Sequence, residues 1–161
     1  MAEQLGKNSA EGTIAPGLHR EIIQSIGTTE RQLTADESGS TILFDSADSI
    51  TVRLPTPVVG MQFDFVTTVS VTASDTHKVI TKTIASEFLI GGVMSANLTV
   101  AASGDFFVAN GSTHVALTSN GSTTGGLVGG WFRVEAISTT QWAVTGVICG
   151  SGTNADPFAT S

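Results

Sequence analysis

The sequence predicts an all-β chain: one compact sandwich or barrel, jelly-roll-like, of about nine to eleven short strands. Three observations lead there. Apolar residues recur with a period of two, as in Ile50, Val52 and Leu54 around Thr51 and Arg53, which marks strands with one face in a core and one in water. Turn-forming clusters such as Glu37-Ser38-Gly39, Ser46-Ala47-Asp48 and Pro55-Thr56-Pro57 interrupt the apolar runs at short intervals. Only 13% of the 161 residues are charged, and Ser, Thr and Gly supply the polar surface, a composition suited to strands and poor for solvated helices.

The elements follow in order. Met1–Gly17 has few apolar residues and no period, and it contains Gly6, Gly12, Pro16 and Gly17. Residues 1–18 therefore form an N-terminal arm, 19–150 the β domain and 151–161 a loose tail. Two readings of the arm stand. It is a disordered terminus, or an extended segment that orders on a neighbouring subunit, with Leu5, Ile14 and Leu18 as spaced anchors. Leu18, Ile22 and Ile26 share a helical face, yet the stretch is short, β-branched and ends in Gly27, so a strand is expected. From Leu33 to Phe65 three strands read as a meander, the middle one stopping near Leu54 because Pro55 and Pro57 cannot donate to a ladder. Met61–Thr72 reads as one long strand, with Phe63, Phe65, Val69 and Val71 inward and Gln62, Asp64, Thr68 and Ser70 outward. Ile50, Val52, Leu54, Phe63 and Phe65 are the expected core.

His77–Thr83 is expected to pair back on the preceding strand, with Lys78 and Lys82 on an edge or solvent face. Phe88–Val93 is apolar but interrupted by Gly91-Gly92, which suggests a bulge or bend. Leu98, Val100 and Ala102 alternate, Gly104-Asp105 reads as a turn into Phe106–Ala109, and Val115 and Leu117 mark a further strand. Ser119–Gly126, SNGSTTGG, has no apolar residue and reads as a flexible exposed loop. Trp131–Ile137 and Gln141–Cys149 form a closing hairpin around Ser138-Thr139-Thr140. The tail from Gly150 is expected to be loose, with Pro157-Phe158 as its one anchor.

The residues that would carry chemistry do not gather in the sequence. His19, His77 and His114 share no metal-ligand spacing with one another or with Cys149, and each reads as a surface or edge histidine. The lone Cys149 lies in an apolar strand and reads as a buried, inert thiol. Asp36-Glu37 and Asp45-x-x-Asp48 suit turn-stabilising roles better than a calcium loop, which needs a denser run of oxygen ligands. No nucleophile elbow or phosphate-binding loop is present, so no enzyme, catalytic residue, metal or cofactor is expected. The net charge of −7 and seven scattered basic residues argue against direct nucleic-acid binding. With no leader sequence expected at Met1–Ala10 and no apolar run near the ~20 residues of a membrane span, the expectation is a chain made in the cytoplasm and not bound to membranes.

One stretch carries a resemblance. Leu33-Thr34, then Glu37-Ser38-Gly39, a strand closing in Val52-Arg53-Leu54-Pro55, Gly60 and Phe63-x-Phe65 resemble the head decoration, or cement, proteins of tailed bacteriophages. Leu89-Ile90-Gly91-Gly92 and Gln141-Trp142-x-Val144-x-Gly146 are similar to that family's later signatures. Arg53 and the Asn120-Gly121-Ser122 segment depart from its pattern. The resemblance implies a homotrimer on the outer surface of an icosahedral head, clamping neighbouring subunits of the major capsid protein. A carbohydrate-binding sandwich from a phage tail appendage or a bacterial surface is the other expectation; exposed Trp131 and Trp142 side by side would favour it.

Overall fold

The computed structural model describes residues 22–24, 29–99 and 104–161. The arm anchors Leu5, Ile14 and Leu18, together with His19 and Val100, lie outside the described residues. Among the described residues, twelve strands form two mixed sheets. They are β1 Ile22–Gln24, β2 Glu30–Gln32, β3 Thr41–Phe44, β4 Ile50–Arg53, β5 Gln62–Thr67, β6 His77–Ile80, β7 Phe88–Asn97, β8 Gly104–Asn110, β9 Ala116–Ser119, β10 Trp131–Ala136, β11 Gln141–Gly150 and β12 Phe158–Ala159. The seven-stranded sheet runs β1-β3-β5-β10-β11-β7-β8 and the five-stranded sheet β12-β9-β6-β4-β2. The expected all-β sandwich is what folds.

Its connectivity is not the expected meander. β3 and β5 pair in parallel in the large sheet, while β4 lies in the small one between β2 and β6, again in parallel. From β1 to β6 the chain changes sheet at every loop, so neighbours within a sheet are two strands apart in sequence. Parallel neighbours need a crossover, and here a strand of the opposite sheet supplies it. The clusters read as hairpin turns are therefore corners between sheets. At the first, Thr34 opens a 3-10 turn, Ala35–Glu37, and the Glu37 carboxylate accepts the Thr34 N–H at 2.7 Å. Gly39 leaves that corner at φ +91° and donates its N–H to the Gln62 carbonyl at 2.7 Å, tying it to the start of β5.

Other expectations change for related reasons. The long strand at Met61–Thr72 ends at Thr67; Val71 is buried, but Val69 is exposed. His77–Thr83 does not pair back on β5. β6 sits inside the small sheet between β4 and β9, so Lys78 is on no edge, and its ammonium reaches the carbonyl of Ser161 at 3.2 Å. Gly91-Gly92 does not break β7, which runs ten residues in unbroken register with β11. Gly104 and Asp105 begin β8 rather than turn into it, and Leu98 lies beyond the end of β7. The tail is not loose: β12 pairs antiparallel with β9 and Phe158 is buried, the anchor being the residue the sequence offered.

Ser119–Gly126 is held rather than flexible. The Asn120 Oδ1 accepts the N–H groups of Ser122 at 3.0 Å and Thr124 at 3.1 Å. The Val71 N–H donates to the Gly126 carbonyl at 3.0 Å. Backbone bonds substitute for the apolar side chains that the run lacks.

All five expected core residues are buried. Around them Phe65 stacks between Phe44, centroids 5.9 Å apart, and Phe132 at 5.0 Å, while Phe63 tilts against Trp142 at 6.0 Å. The antiparallel β10–β11 hairpin, as expected, closes the core, and β10 joins the early strands by pairing with β5.

Candidate docking face

The outer face of the seven-stranded sheet holds the most unusual surface among the described residues. Directly paired residues in a sheet point to the same side, so the pairings give rows across the strands. One row reads Leu43 on β3, Val66 on β5, Trp131 on β10, Val147 on β11, Met94 on β7 and Phe106 on β8. Six consecutive strands thus contribute six apolar side chains to one line. Trp131 is 51% exposed and Phe106 62%, Met94 is also exposed, and the other three are half-buried by their neighbours. Single exposed apolar residues need no explanation, but a contiguous row does.

The adjacent row reads Ile22, Thr41, Asp64, Arg133, Thr145, Gly92 and Val108. Its only charges satisfy each other: Arg133 Nε donates to Asp64 Oδ1 at 2.7 Å and its Nη2 to Oδ2 at 3.0 Å, a two-pronged pair. Gly92 has a packing role. A Cβ there would stand 2.7 Å from the Phe106 ring and 2.5 Å from the Phe107 carbonyl oxygen, so glycine lets the ring lie down on the sheet and extends the apolar row. A shallow groove of about 290 Å³ opens at the centre, lined by Thr41, Asp64, Phe65, Val66, Trp131 and Arg133.

The residues singled out for chemistry stay apart. His77 is not at the surface: it is 2% exposed, stacked on Phe44 at 4.6 Å, with Nε2 2.9 Å from the Ser46 carbonyl oxygen. Burial pulls its imidazole below the usual value, while carbonyls of Ser46 and Asp48 and the charges of Asp45 and Asp75 act the other way. His114 stacks on Phe158 at 5.7 Å. Cys149 is buried and free, and burial pushes its thiol up, which fits an inert thiol. Asp48 belongs to a local turn, its N–H donating to Ser46 Oγ at 3.2 Å. Among the described residues, no group of three or more His, Cys, Asp or Glu side chains is placed to hold a metal ion, and no helix is long and apolar enough to cross a membrane.

The two tryptophans part company. Trp142 is fully buried, whereas Trp131 stands at the middle of the apolar row. Sequence reading missed the row because its members lie up to 104 positions apart and meet only through pairings the chain does not spell out. The available signal was the outward phase of each strand, where Val66, Trp131 and Met94 sit at positions expected to be polar. No known protein family matches this chain, and no curated protein or solved structure is similar to it.

Proposed function

We propose that this chain is a structural protein that acts by docking. It assembles with itself and, following the resemblance of Leu33–Phe65, decorates the outer surface of a tailed-phage head by clamping neighbouring major capsid protein subunits. The observation that carries the docking reading is the apolar row across six strands of a rigid sheet, a surface that gains free energy by being covered. The choice of a capsid as partner rests on the sequence resemblance. A protein that binds the expanded shell and not its dissociated subunits stabilises the shell by mass action, with no catalytic group.

In this reading the arm, residues 2–18 with Leu5, Ile14 and Leu18, is the segment that lies on the shell. The test is co-sedimentation with expanded capsids of the phage whose head genes adjoin this one. Full-length protein is expected to decorate them. Deleting residues 2–18 is expected to leave the melting temperature almost unchanged and abolish decoration. A truncated protein that decorates at full occupancy refutes the arm's role, and a full-length protein that ignores the shells refutes the capsid.

The second reading is a carbohydrate-binding module, favoured by one observation: exposed Trp131 beside the Asp64–Arg133 pair in an open groove, an aromatic platform flanked by polar groups. Buried Trp142 removes the paired platform that this reading expected.

A further inference from the structure

We infer that a second copy of this chain covers the apolar row, the two large sheets packing face to face about a twofold axis near Trp131. This rests on the docking reading and assigns its face an occupant. Three observations select a second copy.

The first is charge. The chain carries −7, so most contacts between copies bring like charges together. In the apolar row and the row beside it, the only charged groups are Asp64 and Arg133, already bonded to each other. Two copies meet on those two rows without electrostatic penalty; exposed Glu135, one row further along β10, is the charge left beside them.

The second is area. Seven strands at about 4.8 Å spacing make a face about 30 Å wide, and the two rows with a flanking one, Gln62, Glu135, Ala143, Ile90 and Asn110 on five of the strands, make it about 20 Å tall. That footprint, about 600 Å² in projection, is close to the about 800 Å² per partner of a stable specific interface.

The third is symmetry. β10 is the central strand of the seven, so Trp131 stands at the middle of the sheet's width. A twofold axis through it sets Val147 of one copy against Val66 of the other and Met94 against Leu43, apolar on apolar, while Phe106 falls over the β1 edge, at the register position of Gln24. The homotrimer implied by the resemblance fits this face less well. Three faces about 30 Å wide around a threefold axis would stand about 9 Å from it, whereas facing sheets pack about 5 Å from their shared midplane, and one row of side chains would leave the centre unfilled.

The experiment is sedimentation equilibrium of the full chain without capsids, from micromolar to about 100 µM, a range chosen to span ordinary dimer affinities. The wild type is expected at twice the 16.5 kDa chain mass. Trp131→Glu places two carboxylates at the axis and is expected to give monomers, with Kd raised at least about 100-fold. Ile84→Glu, exposed elsewhere, is expected to leave the mass unchanged. A monomeric wild type, a three-copy mass, or a Trp131→Glu protein that stays paired overturns the inference. Quenching of Trp131 by an oligosaccharide in a protein that never pairs overturns it in favour of the sugar groove. A protein that pairs yet ignores expanded capsids supports the inference and removes the capsid reading alone.

Discussion

Phe65 is the residue whose removal tests the core most sharply. It lies on β5 with 1% of its surface exposed, sandwiched between Phe44 and Phe132, and Phe44 in turn stacks on His77 from the other sheet. Truncation to alanine loses about 1.5–3 kcal/mol of apolar transfer. It also leaves a void of about 100 Å³, which at about 24 cal/mol per Å³ adds about 2.4 kcal/mol if nothing relaxes. Phe65→Ala is therefore expected to cost about 4–5 kcal/mol. Phe63 is equally buried but makes one aromatic contact, with Trp142, instead of two. Each such contact is worth about 0.5–1.5 kcal/mol, so Phe63→Ala should cost about 3–4 kcal/mol. The assay is urea unfolding at one fixed protein concentration, because self-association would make stability concentration-dependent. With a slope of about 2 kcal/mol per molar, the Phe65→Ala midpoint should fall by about 2 M, against almost no change for exposed Ile84→Ala. A fall of less than about 0.5 M, or no difference from Ile84→Ala, would refute the stacked-ring account of the core.

Two further outcomes are expected. His77 has a folded-state pKa below its usual 6.5, so below that value the unfolded chain takes up a proton that the folded one resists. Stability is then full above the ordinary imidazole pKa and falls as pH drops through it; urea midpoints at pH 7 and pH 5 should diverge more in the wild type than in His77→Phe, and equal slopes would refute this. Gly121→Ala would place a Cβ 2.2 Å from the Val71 carbonyl oxygen at φ +71°, whereas a Cβ at Gly39, φ +91°, meets nothing within 4 Å. Both pay for a left-handed backbone, about 1–2 kcal/mol, but Gly121→Ala should lower the melting temperature clearly more; equal shifts would mean that the Asn120 loop does not press on Val71.

Much of this protein was written locally. Alternation placed Ile50, Val52, Leu54, Phe63 and Phe65 in the core, because a strand's side chains alternate whatever it pairs with. Glu37-Ser38-Gly39 marked its turn, Pro55 stopped β4, and Ser138-Thr139-Thr140 closed the β10–β11 hairpin, all through features a few residues long. What the tertiary structure alone decided was which strand lies beside which. A period of two is the same for parallel and antiparallel neighbours, so nothing in Ile42-Leu43-Phe44 or Phe63–Phe65 revealed that β3 and β5 run side by side in parallel while β4 crosses to the other sheet. Three consequences follow from that pairing. His77 enters the core because it shares the inward phase of its paired residues Ile50 on β4 and Ser119 on β9, and Gly92 seats Phe106 because β7 lies against β8. Leu43, Val66, Trp131, Val147, Met94 and Phe106 become one surface because pairing carries outward phase from strand to strand, a property of the sheet that no single strand possesses.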